Sequence, residues 1–158
     1  MPKSRVQRRP RPASHHPGRS RAPFYCLGLL ATLAACEILG PSAALPANAQ
    51  LMAAPPAYLD WWTKTETCSG LAGHFDRIEW YVVPGAQSFE TDLGLKVGLW
   101  IHSSDGVRIV IAGDYVGSEL VVRHEMLHAL LDREGHPAEY FQDRCQLTWG
   151  SWVQANGS

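Results

Sequence analysis

Apolar positions divide the chain into one short run near its start and a patterned region beyond residue 56. Tyr58, Trp62, Thr65 and Ser69 share one helical face, with Leu59, Trp61 and Cys68 beside it. That spacing predicts a helix over 56–69, stopped by Gly70. Ile78-Glu79-Trp80-Tyr81-Val82-Val83 is β-branched and aromatic and is cut off by Pro84-Gly85, so it predicts a strand. Residues 84–96 keep no period and are expected to form a loop, with room for a short helical turn. Val97 to His102 and Val107 to Ala112 are two further apolar runs. Ser103-Ser104-Asp105-Gly106 between them has the composition of a hairpin loop.

Ser118 is placed to cap a helix beginning at Glu119, whose negative charge suits the positive end of the helix dipole. Residues 119–132 are apolar nearly all round, which predicts a buried helix. Gly135 is expected to end it. Pro137 pushes His136 away from helical angles and itself suits the first position of a second helix through Tyr140, Phe141 and Cys145. Residues 146–158, rich in Gln, Gly, Ser and Trp, are either a disordered end or a strap. There is no internal repeat. The expected class is α+β: an N-terminal helix, a small sheet of three or more strands, a buried helix and a short C-terminal helix.

Charge separates the first residues from the rest. Residues 1–36 carry seven basic side chains and no acidic one, and 13 of them, Phe24 to Cys36, form an uncharged, mostly apolar run. A bilayer crossing needs roughly 20 apolar residues, so this reads as a secretory signal. Leu33-Ala34-Ala35-Cys36 resembles the lipobox of bacterial lipoproteins, which implies lipidation at Cys36 and a membrane link through that anchor. Ala47-Asn48-Ala49 offers a second cleavage site. Arg8-Arg9 fits a twin-arginine signal badly because Pro10 follows. Residues 37–55, rich in Pro and Ala, are expected to be an extended tether, leaving 56–158 as the folded domain of an exported, cell-envelope or secreted protein.

Beyond residue 36 seven basic side chains face fifteen acidic ones. Such an acidic domain excludes nucleic acid as a partner, because nothing in it neutralises phosphates. Two cysteines remain there, Cys68 and Cys145, and in an exported chain they are expected to form a disulfide across 77 residues.

The candidate chemistry lies on the buried helix. His124-Glu125-Met126-Leu127-His128 is an H-E-x-x-H motif. His124 and His128, four apart, project from one face and can share a metal, while Glu125 is placed to take a proton from water. Two histidines and a third ligand suit Zn2+ with one position left open. Buried histidines need polar partners, and a shared metal serves both at once. His136, in a Gly-His-Pro turn, is the candidate third ligand, with Glu134, Glu139 and Asp143 as alternatives. The metzincin pattern fails, because Leu131 and Glu134 stand where it needs Gly and His.

His124-Glu125-x-x-His128, followed by Gly135-His136 and Tyr140-Phe141, resembles SprT-like and related minimal zincins. The resemblance implies a thermolysin-type core in which His124, His128 and His136 hold zinc and Glu125 is the general base. It also implies that the 97–112 hairpin binds an extended peptide along its edge. Tyr115, Tyr140 and His102 are the candidates for a transition-state donor. Trp61, Trp62, Trp80 and Trp100 are expected in the core; Trp149 and Trp152 have no assigned place. The expected function is an exported zinc metallopeptidase acting on a peptide or protein. The rivals are a non-catalytic zinc module and an envelope interaction domain that keeps the same fold.

Overall fold

A computed structural model describes residues 44–156. The signal-like run with Cys26 and Cys36, the expected lipidation position, lies outside them. Six strands and three helices are formed: β1 (Gln50–Leu51), α1 (Ala57–Ser69), β2 (Ile78–Val83), β3 (Phe89–Thr91), β4 (Gly94–Lys96), β5 (Gly98–Ser103), β6 (Gly106–Ala112), α2 (Glu119–Leu131) and α3 (Trp149–Asn156). The mixed α+β class is as expected.

Four strands make one sheet in the order β1-β2-β6-β5. β2 runs parallel to β6, with Trp80 opposite Ile109, while β1 and β5 are antiparallel to their neighbours. The central strand β6 is covered on both faces. Ile109 and Ile111 pack with Tyr58 and Trp62 of α1 and with Val121, Val122 and Met126 of α2. Val110 and Ala112 pack on the other face with Val83, Phe89, Leu99 and Ile101. Burial on both sides is why Ile109 to Ala112 read as a continuous apolar run rather than an alternating one.

The helix faces follow the sequence pattern. Tyr58, Trp62, Thr65 and Ser69 are the buried positions of α1, and Gly70 ends it in the left-handed region at φ 73°. Ser118 caps α2, its hydroxyl accepting the Val121 N–H at 3.5 Å. Arg123, buried between the helices, donates to Thr65 Oγ1 at 3.2 Å and pairs with Glu119 at 3.0 Å. Cys68 and Cys145 form the expected disulfide, Cα atoms 5.1 Å apart, joining the last turn of α1 to the C-terminal segment.

Five expectations are corrected. Residues 84–96 are not simply a loop: β3 and β4 form a separate antiparallel ribbon. Its turn is held by Thr91, whose hydroxyl donates to Gly94 O at 2.8 Å and accepts from the Leu93 N–H at 3.1 Å. Strands of three residues are too short to show alternation. The tether does not run free to residue 55. Gln50 and Leu51 pair with Val82 and Tyr81, and Leu45 and Ala49 pack on the sheet.

The buried helix stops at Leu131 rather than at Gly135, because Asp132 takes the left-handed conformation at φ 48°. Pro137 does not open an α-helix. It precedes a π-helical turn over Glu139–Arg144, and its carbonyl accepts both the Tyr140 and Phe141 N–H groups at 3.0 Å. As far as Asn156 the tail is not a disordered end. It forms α3, whose start is fixed by reciprocal bonds between Thr148 and Ser151.

Trp62 and Trp80 are buried, while Trp61 and Trp100 pack at the core's margin. Trp152 lies against the Leu127–Phe141 cluster, and Trp149 is 60% exposed.

Candidate metal centre

His124 and His128 stand on the same face of α2, one turn apart. The left-handed Asp132 and the turn at Gly135, φ 80°, fold the chain back so that His136 meets them. His136 Nε2 lies 2.9 Å from His124 Nε2 and 3.2 Å from His128 Nε2. Tetrahedral bonds of about 2.05 Å would set ligand atoms about 3.3 Å apart. The three rings therefore lie close enough to bind one metal ion.

The far side of each helical histidine is also fixed. His124 Nδ1 lies 2.7 Å from Leu147 O, and His128 Nδ1 lies 2.9 Å from Arg133 O. A carbonyl only accepts, so each Nδ1 carries the proton and each Nε2 offers a lone pair inward. Phe141 sits beneath the cluster, its ring centre 4.8 Å from that of each of the three imidazoles. Trp100 of β5 stacks on His128 at 6.0 Å.

Burial lowers the pKa of all three histidines, His128 to about 4. They are neutral at neutral pH, the form that binds metal. For His124 and His128 the carbonyl bonds oppose the shift. Three neutral imidazoles are a donor set suited to zinc, copper, iron or nickel.

Glu125 is also buried and lies against β5. Its carboxylate is so close to Gly98 that a Cβ there would meet Oε1 at 2.6 Å. Burial pushes its pKa up to about 8, while the Trp100 backbone N–H and the charge of Lys96 pull it down. Above the centre opens a cleft of about 660 Å³. β5, α2, the β3–β4 ribbon and the residues around α3 form its walls.

The third position is taken by His136 rather than by an acidic group. Glu134 lines the cleft but is not part of the histidine cluster. Glu139 pairs with Arg144 at 2.6 Å, and Asp143 is exposed. None of the three candidate transition-state donors lines the cleft. His102 pairs with Asp132, Tyr140 lies under Arg144, and Tyr115 packs edge-on against Trp149.

Sequence reasoning missed Leu147 and Arg133, whose contribution is a backbone carbonyl with no residue-type signature. It also missed Phe141 as the common platform, Gly98 as the seat of the carboxylate, and Lys96, the one Lys or Arg among the described residues that line the cleft. The single usable signal was the apolar Phe141 close after His136. No family model, curated protein or solved structure matches the chain.

Proposed function

We propose that this chain is an exported, zinc-dependent peptidase of minimal zincin-like fold, anchored through Cys36. The observation that carries the reading is the meeting of three Nε2 lone pairs beside a buried carboxylate at the floor of an open cleft. His124, His128 and His136 would hold the ion. When bound, zinc acidifies water and polarises a carbonyl.

The chain's own groups do the remaining work. The Leu147 and Arg133 carbonyls orient His124 and His128. Glu125, seated against Gly98 beside the histidines, is the group placed to take a proton from water and return it to a leaving amine. β5 has no partner on its outer side among the described residues, and its backbone borders the cleft. That edge suits an extended peptide. A purely structural zinc site takes four protein ligands, so three histidines under an open cleft favour catalysis over a metal staple.

The test is zinc content and peptide hydrolysis in the full chain. Wild type should carry about one zinc, His136→Ala should lose most of it, and Glu125→Gln should keep it while losing roughly 10²–10⁴-fold in rate. A folded, zinc-free wild type, or full activity in Glu125→Gln, overturns the proposal.

A further inference from the structure

Six large apolar side chains are at least half exposed among the described residues: Leu51, Leu59, Leu93, Leu95, Trp149 and Val153. Singly scattered, such residues need no explanation; gathered at one place, they do. Leu93, Leu95 and Trp149 all line the cleft above the histidines. They come from two distant parts of the chain, Leu93 and Leu95 from the β3–β4 ribbon and Trp149 from the first residue of α3. None of the three belongs to a core cluster. Val153 follows Trp149 by one helical turn and extends the same face.

We infer that the cleft selects polypeptides bearing a bulky apolar side chain, of Leu or Phe size, next to the bond held over the histidines. The inference rests on the peptidase reading and names its substrate class. Gly98, Leu99 and Trp100 of β5 also line the cleft. A peptide paired to that edge would turn every second side chain to the same face. A cleft of about 660 Å³ has room for such a side chain.

Charge favours a polypeptide over a lipid surface as occupant. Residues 44–156 carry seven basic and fourteen acidic side chains, which repel anionic headgroups. The charged residues that line the cleft, Lys96, Glu125 and Glu134, are of both signs.

The experiment uses the zinc-loaded full chain and peptides identical except for one position, occupied by Ala, Glu, Leu or Phe. The kcat/KM ratio of Phe or Leu over Ala should be roughly 10–100, the range one apolar side chain commands in a pocket. The ratio should fall toward one in Leu93→Ser/Leu95→Ser, and separately in Trp149→Ala, with zinc content unchanged. In parallel, binding of the same peptides to Glu125→Gln is followed by calorimetry, a readout that needs no hydrolysis.

Hydrolysis without side-chain preference overturns the inference and leaves the peptidase reading standing. Tighter binding of Phe and Leu peptides, weakened by both variants, supports the apolar cleft even if nothing is cleaved, and then it is the peptidase reading that fails. Equal binding of all four peptides, or a preference untouched by both variants, overturns the assignment to these walls.

Discussion

Gly98→Ala should disable the centre without touching a metal ligand. Gly98 is buried, and an added Cβ would lie 2.6 Å from Glu125 Oε1, 2.8 Å from its Cγ and 3.0 Å from its Cδ, where ordinary contact begins at 3.4 Å. The carboxylate, or the β5 backbone, must shift by up to about 0.8 Å. Overpacking of this kind costs roughly 1–3 kcal/mol. A displacement near 1 Å of a reacting group costs about 10²-fold in rate.

The histidines should hold their places, because their Nδ1 protons are tied to the Leu147 and Arg133 carbonyls rather than to β5. The expected result is one zinc per chain, kcat/KM down about 100-fold, and Tm lower by roughly 4–8 °C per kcal/mol lost. Removing the obstacle with Glu125→Ala in the same chain should recover most of the stability but none of the activity, a coupling read from the double-mutant cycle. A folded Gly98→Ala protein with wild-type kcat/KM would refute the reasoning, as would a stability loss unaffected by the second substitution.

Two further outcomes are expected. Replacing both Cys68 and Cys145 with Ser opens a 77-residue loop, worth roughly 4–5 kcal/mol on the chain-entropy account. Cys145 also stands two residues before the carbonyl that holds His124, so zinc affinity should drop about 10–100-fold; urea unfolding and zinc titration check both, and a loss under about 1 kcal/mol would show that the link constrains little. In metal-free protein, His128 is depressed to about 4 from an unfolded 6.5, so its contribution is complete above pH 6.5 and fades as pH falls toward 4. Glu125 is raised to about 8 from 4.5, so its contribution is complete below pH 4.5 and fades as pH rises to 8. Between pH 6.5 and 8 only the second changes, so metal-free wild type should lose about 2 kcal/mol in denaturant unfolding while Glu125→Gln stays level; equal slopes would remove Glu125 as the cause.

Long elements were legible because each has one dominant environment. The buried face of α1, the apolar runs of β2 and β6, and α2 with apolar residues nearly all round announce themselves in residue type. H-E-x-x-H was legible because two candidate ligands and the carboxylate lie within five positions of one helix. His136 was readable only as a candidate. Its approach depends on the left-handed Asp132, a conformation few non-glycine residues take and that no pattern foretells.

The β3–β4 ribbon was hidden by its brevity, and the edge strand β1 by proline and alanine on either side of it. The π-helical turn was invisible for another reason. Its extra residue per turn is set by what Phe141 and Cys145 must reach, the histidine rings and the disulfide, rather than by local preference.

The bond from Leu147 to His124 also bears on the order in which the centre comes into being. A chain made from its N-terminus carries all three imidazoles before it carries the carbonyl that orients the first of them. Until residues 141–147 fold back, Phe141 is not beneath the rings and His124 is free to turn. Competence thus arrives by closure of the tail rather than by growth of the helix, and oxidation at Cys145 fastens the closure. An unfolded chain carries the H-E-x-x-H motif without the assembled histidine cluster.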